Sequence, residues 1–418
     1  MSGPSTQPTP AVLAAPRGAE PPRRWLLVIV LGALTMLGPF TMDLYLPAFP
    51  AVQRELHTSQ GAVQLTLTAT AVGMGIGQLL VGPLSDAFGR RRPLLIATAL
   101  HVVSSTAVAV APTIAAVFAA RLGQGLGAAA GAVVTIAIIR DLFGGYRLVR
   151  MLARLALIGG LAPIVAPVLG SQLLLVLSWR GVFAALALYG LTILVLCARM
   201  VPETLPGHAV HTGPTETALS RLSAVVHDRV YIGAAVAGSM VFASVITYLS
   251  TAPFVFQTSL GLNPQQFGLL FAVNAVGLLV ANQVSARLMR VLEPAWILAG
   301  VLTLLLASGI ALMVLGANHA GFIGTAIASF AFVSATGFAN PCFGILTLKN
   351  HHGRAGTAAA LSGFANSVVG GLISPLPGLL GGGTALTLGV VICTAMIIAL
   401  ASLWIILRPW RVAKLDRG

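Results

Sequence analysis

Twelve stretches of this chain are mainly apolar and about 20 residues long, the length that lets a single α-helix cross the hydrocarbon core of a bilayer. They fall at 25–48, 61–83, 93–111, 113–138, 152–177, 181–199, 230–256, 265–287, 295–315, 320–348, 356–380 and 384–407. A soluble globule could not cover so much apolar surface, since 57% of the 418 residues are hydrophobic and only 8% are charged. Spanning β-strands would give shorter segments of alternating polarity, a pattern the sequence lacks. The pattern predicts an all-α integral membrane protein of twelve spanning helices, with no room for a separate soluble domain.

The net charge of +14 would point to nucleic acid in a soluble protein. Its distribution gives it another meaning. With the N-terminus inside, all but Arg54, Arg180 and Arg121 of the 24 lysines and arginines fall in cytoplasmic segments. That asymmetry predicts both termini in the cytoplasm and no nucleic-acid partner. Residues 1–22, rich in Pro, Ala, Ser and Thr, are expected to be a disordered cytoplasmic N-terminus. The apolar run after them is too long for a signal-peptide core and is expected to be a retained first helix. A first six-helix bundle then occupies 23–199, a cytoplasmic linker with Pro202, Pro206 and Pro214 occupies 200–229, a second bundle 230–407 and a cytoplasmic tail 408–418.

The two bundles carry a weak internal repeat. At an offset of 200 residues, Gly77 aligns with Gly277, Leu79 with Leu279, Ser85 with Ser285 and Arg90 with Arg290, at the end of the second helix of each half. Six-helix repeats around a central site are a recurring transporter plan. Cys197, Cys342 and Cys393 lie in apolar helices at unrelated spacings and read as packing residues. No cluster in the sequence has metal-ligand spacing, so neither a metal nor a cofactor is expected. Nothing requires more than a monomer.

Two ionisable side chains fall deep inside apolar helices: Asp43 in the first and Arg121 in the fourth. Such a charge is costly in hydrocarbon and marks function by default. Arg121 lies about 12 Å inside its helix end, too deep to snorkel easily. Three local patterns accompany the pair. Gly82-Pro-Leu-Ser-Asp86-Ala-Phe-Gly89-Arg90-Arg91-Arg92 ends the second helix in a tight turn, with glycines for close packing and a carboxylate at the helix end. Arg121-Leu-Gly-Gln124-Gly125 opens a run of small residues that lets neighbouring helices approach. Ala162-Pro163-Ile-Val-Ala166-Pro167-Val-Leu-Gly170 places two prolines and a glycine inside the fifth helix, where they bend it.

These patterns resemble signatures of the major facilitator superfamily. The first is similar to its loop-two-three motif, with Ala87 in place of a basic residue; the second to its Arg-x-x-Gln-Gly motif, whose arginine is implicated in proton coupling. The third is similar to its antiporter motif, with Ala166 for a glycine. A narrower resemblance is to the Bcr/CflA (bicyclomycin/chloramphenicol resistance) branch. It rests on Thr41-Met-Asp43-Leu-Tyr45-Leu-Pro47-Ala48-Phe-Pro50, Ile139-Arg140-Asp141-Leu-Phe143, Ser178-Trp179-Arg180 and Pro202-Glu203-Thr204-Leu205. In the second half it rests on Ala252-Pro253-Phe254, Pro264-Gln-Gln-Phe267-Gly268 and Gly356-Thr357-Ala358.

The resemblance implies two six-helix pseudo-repeats around a central cavity, in a bacterial inner-membrane drug:proton antiporter. Asp43 and Arg121, expected at similar depth, would couple protons, with access to water or substrate deciding whether the carboxyl is protonated. Asp43, Tyr45, Gln124, Tyr248, Phe254, Asn274 and Asn340 are the expected substrate contacts. Gly82, Asp86, Gly89, Arg90, Arg91, Arg140, Asp141, Pro163, Pro167 and Gly170 would serve gating, with Asp86 facing the helix that starts near Gly356. Some relatives carry a second carboxylate where this chain has Thr35, which favours neutral or zwitterionic drugs and at most one proton per cycle. A narrow-specificity metabolite transporter is the alternative. An enzyme would need a nucleophile–base pair or metal ligands, and neither is apparent.

Overall fold

Apolar periodicity fixes the helices, and polar or proline-bearing turns end them. The computed structural model describes residues 24–205, 223–351 and 355–412. The expected disordered segment 1–22, most of the 200–229 linker and the end of the tail lie outside these residues. Among the described residues there is no strand, and twelve helices are long and apolar enough to cross a membrane. They are α1 Leu26–Glu55, α2 Gln60–Phe88, α3 Arg91–Ala109, α4 Ile114–Leu142, α5 Gly145–Leu173 and α6 Trp179–Met200. The second six are α7 Arg229–Ser259, α8 Pro264–Leu288, α9 Pro294–Ala317, α10 Phe322–Leu348, α11 Gly356–Leu379 and α12 Ala385–Arg411.

Helix pairing repeats between the halves. In the first, α2 packs on α4, α3 on α4 and α6, and α1 on α5; in the second, α8 packs on α10, α9 on α10 and α12, and α7 on α11. The halves meet through α2 against α11 and α5 against α8, which again exchange under a shift of six helices. Duplication followed by two-fold assembly is the arrangement that produces this matched set.

Twelve spans bring both described ends of the chain to one face of the bundle, the terminal end. Among the described residues, every hydrogen bond between the halves lies toward the opposite end. Gln64 Nε2 donates to Thr251 Oγ1 at 3.2 Å, and its Oε1 accepts from Gly378 N at 3.1 Å. Thr68 and Ser374 hydroxyls meet at 2.7 Å, Gln257 Nε2 donates to Pro47 O at 3.1 Å and Gln265 Nε2 to Ser171 O at 2.8 Å. Phe49 and Phe254 pack across the same seam. The halves are therefore clasped at one end and parted at the other.

Candidate functional site

The parted end leads into a cavity of about 520 Å³. Its deep part is bounded by Asp43, Tyr248, Asn274 and Phe332, and it runs out past Asn340 to Ala234, Thr347 and Ala359 at the terminal end. Among the described residues, only Asp43 and Pro163 come from the first half; α7, α8, α10 and α11 supply the rest of the wall. Tyr248 stacks on Phe271 at 5.6 Å and tilts against Phe332, while Asn274 Nδ2 donates to the Tyr248 hydroxyl at 2.8 Å. The Oδ1 of Asn274 is buried without a partner.

Asp43 reaches this wall because α1 breaks there. The α-helical segment ends at Asp43, and a 3-10 turn over Leu46–Ala48 leads into a last helical piece, Phe49–Glu55. Pro47 and Pro50 have no N–H to offer the carbonyls of Asp43 and Leu46 four residues earlier, so the helix cannot continue. Gly170 of α5 lies against the break. A Cβ there would sit 1.8 Å from Leu44 O, so only the bare Cα lets α5 close on α1. Asp43 is 7% exposed, and no protein donor hydrogen-bonds its carboxylate among the described residues.

Arg121 has a different setting. Fully buried, it donates from Nη1 to Thr41 O at 2.9 Å and to Gln124 Oε1 at 2.6 Å. Gln124 Nε2 donates to Ser105 Oγ at 2.8 Å, and that hydroxyl donates to His101 O at 2.7 Å. The ring closes through Thr41, whose hydroxyl donates to Leu37 O at 2.6 Å and lies 2.9 Å from His101 Nε2. With its proton committed to Leu37, the hydroxyl accepts from Nε2–H, which fixes the tautomer. The guanidinium carbon sits 4.1 Å over the Tyr45 ring and 5.5 Å from that of Phe183. The Tyr45 hydroxyl meets Thr66 Oγ1 at 3.1 Å.

The two deep charges thus share a depth but make no ion pair. Arg121 holds the carbonyl of Thr41, two residues before Asp43, and lies over the ring of Tyr45, two residues after it. Of the expected substrate contacts, Asp43, Tyr248, Asn274 and Asn340 line the cavity. Tyr45, Gln124 and Phe254 do not. Tyr45 and Gln124 are used up in the Arg121 network, and Phe254 packs in the closed seam.

At the terminal end, Arg90 Nε donates to Asp141 Oδ2 at 2.9 Å and Nη1 pairs with Asp86, one turn before it. Asp86, 69% exposed at its side chain, pairs with Arg90; residues 352–354, just before the helix it was expected to face, lie outside the described residues. Arg140 is exposed, and Gly82 lies within α2 above the turn. Gly89 adopts φ +87°, open to glycine at little cost. A Cβ there would also lie 2.4 Å from Glu203 Oε2. Glu203 accepts from Arg90 N at 2.7 Å and Arg91 N at 3.1 Å, capping the start of α3 from beyond α6. Burial works against its charge, but the N–H groups of Arg90, Leu205, Arg91 and Thr204 outweigh that and hold its carboxyl below the usual range. Pro163 borders the cavity and Pro167 is buried one turn on. The roles of Glu203, His101 and Ser105 carry no single-residue signal. Only the Pro202–Leu205 pattern hinted at the first.

A family model described as Major Facilitator Superfamily matches residues 31–375. An uncharacterized MFS-type transporter of Bacillus subtilis, YdgK, is 34% identical over 371 residues, covering 88% of this chain and 91% of that protein. A bicyclomycin resistance protein homolog of Haemophilus influenzae is 28% identical over 359 residues, covering 84% and 88%. Among solved structures, a bacterial homolog of the human lysosomal transporter Spinster, inward-facing and unoccupied, aligns with TM-score 0.75 over 96% of this chain and 100% of that one. At 13% identity that likeness speaks for the fold.

Proposed function

The chain belongs to the major facilitator superfamily, and on that premise we propose that it is a proton-coupled multidrug exporter of the bacterial inner membrane. The observation that carries the reading is the placement of Asp43 as the one charged side chain, among the described residues, on an otherwise neutral, aromatic and amide-lined cavity wall. Assigning the arginine-rich terminal end to the cytoplasm makes the cavity inward-open. Similarity to a bicyclomycin resistance protein homolog supports a drug as cargo.

In the proposed cycle a neutral or zwitterionic drug enters from the cytoplasm and lies against Tyr248, Asn274 and Asn340. Its arrival displaces a proton from Asp43, at most one per cycle. The halves then rock about the site, the terminal end closes through the Asp86–Arg90–Asp141 region, and protons from outside expel the drug. Arg121 acts through Thr41, fixing the broken segment of α1 that presents Asp43. A chain acting as a monomer suffices, since the path runs between its own halves.

The test is proton flux in tight proteoliposomes, followed with a pH-sensitive dye on adding chloramphenicol and a small drug panel. Drug-triggered flux in wild type that vanishes in Asp43→Asn is the expected result. Flux that survives the substitution puts the proton site elsewhere. Silence from both proteins shifts the reading to a narrow metabolite transporter.

A further inference from the structure

Away from the cavity, the terminal end of the second half gathers three arginines. Arg229 opens α7, and Arg408 and Arg411 close α12. The last turns of α12, Ser402–Leu407, are π-helical, and Arg408 follows in the left-handed region at φ 54° and ψ 84°. A non-glycine residue persists there only where its surroundings require it. Two α12 carbonyls near this end accept from arginine side chains. Arg408 Nε donates to Ile405 O at 2.9 Å and Arg229 Nε to Ile406 O, while Ser402 Oγ ties α12 to Gly233 O of α7 at 3.0 Å.

The Nε atoms of Arg229 and Arg408 are thereby anchored and their outer nitrogens left over. Arg229 Nη2 is buried with no hydrogen-bond partner. Arg408 and Arg411 lie close enough to repel the charge of Arg229, and none of the three forms an ion pair among the described residues. Beside them Trp404 stacks on Trp410 at 5.9 Å and 27°, and Trp296 meets Trp404 edge-on at 6.0 Å. These three rings are 40–57% exposed. Tryptophan in that position marks the headgroup level of a bilayer. Other terminal-end arginines, such as Arg92 and Arg140, stand exposed with no buried unpartnered nitrogen, so a general cytoplasmic charge bias does not account for this arrangement.

We infer that Arg229, Arg408 and Arg411 form a binding site for the phosphodiester head of an anionic phospholipid, with its upper acyl chain lying along Trp296, Trp404 and Trp410. The phosphate oxygens accept from the accessible outer nitrogens of Arg408 and Arg411, and the phosphate charge offsets the crowding of the three guanidiniums. The tryptophans hold the glycerol and first methylenes at the right depth. The site does not depend on which drug the cavity takes, or on drug transport at all.

The full chain is placed in phosphatidylcholine nanodiscs containing a small fraction of either dibrominated phosphatidylglycerol or dibrominated phosphatidylcholine, and tryptophan fluorescence is read. Brominated chains quench rings they touch. Phosphatidylglycerol is expected to quench more, as a local enrichment of roughly fivefold for each arginine engaged. That preference should fall sharply in Arg408→Gly, which suits the left-handed backbone and so keeps the fold, and vanish in the Arg408→Gln/Arg411→Gln double variant. Equal quenching by both lipids in wild type overturns the inference, as does a preference that survives in both variants. If inorganic phosphate at millimolar concentration abolishes the preference, the site takes a free anion and the lipid assignment is wrong.

Discussion

The two halves repeat one helix plan and use it in opposite ways. In the first, α1 carries two prolines close together, Pro47 and Pro50, and breaks; in the second, α7 carries Pro253 and runs on as a π-helical turn over Phe254–Ser259. The first half buries a guanidinium in a closed ring of hydrogen bonds from α1, α3 and α4. The second buries a tyrosine and an asparagine, and its neutral wall encloses the cavity. A permanent charge near a drug site would demand a matched charge on every substrate. Confining Arg121 to the first half, and letting only Asp43 cross to the wall, separates ion chemistry from recognition on the function proposed above.

The same substitution in both halves breaks this contrast most severely. Gly170→Val drives a side chain into the Leu44 carbonyl, and neither backbone can give way. A loss of more than about 4 kcal/mol, seen as failure to recover folded protein from membranes, is expected. Gly344→Val in α10 meets open space, so that variant should assemble normally and lose only the larger drugs. Normal assembly of both variants would show that the break in α1 is not held by α5.

Next in size is Arg121→Leu. It leaves Gln124 Oε1 and Thr41 O without the charged donor, at about 1–3 kcal/mol for each unsatisfied group. Drug-driven proton flux should fall at least tenfold while drug binding to the second-half wall, measured by equilibrium dialysis, changes little. A variant that loses binding and flux together would merge the two roles the halves keep apart.

The spans were legible because apolar length is a one-dimensional signal. Their ends were less so. Arg147, Arg150 and Arg154 argue against hydrocarbon, yet the helix of α5 begins at Gly145, because a helix can project beyond the apolar layer with its arginines in water. Depth could also be counted along the chain, which put Asp43 and Arg121 level. Azimuth could not. Which way each side chain faces depends on the α1 break, and that shows only as the Pro47 and Pro50 pattern. Tyr45 and Gln124 were therefore expected at the substrate, where polar and aromatic side chains are useful, when the buried guanidinium had already claimed both. His101 and Ser105 gave no warning, since each is ordinary in sequence and acts only through contacts between helices.

A gentler probe of the second half is Tyr248→Phe. It removes the hydroxyl that Asn274 Nδ2 donates to and keeps the ring stacked on Phe271. One neutral hydrogen bond is worth about 0.5–1.5 kcal/mol, so apparent drug affinity should weaken by roughly two- to tenfold. The number of protons moved per drug should stay the same. A changed ratio would place coupling in the second half and undo the division.

The smallest effect lies at the terminal end, where a carboxylate from the connecting segment caps a helix in each half: Glu203 at α3 and Asp228 at α7, the latter accepting from Val230 N at 2.9 Å. Because the folded Glu203 carboxyl titrates below its unfolded value of about 4.3, its contribution is complete above that pH and fades as pH falls through the folded value. Glu203→Gln should lower the thermal midpoint at pH 7 by the equivalent of less than about 1 kcal/mol, since the side chain is well solvated. The difference from wild type should shrink once the pH drops below about 4.3. A difference that stays constant down to acid pH would mean that the side chain acts through its shape against Gly89, and that the charge is not what caps α3.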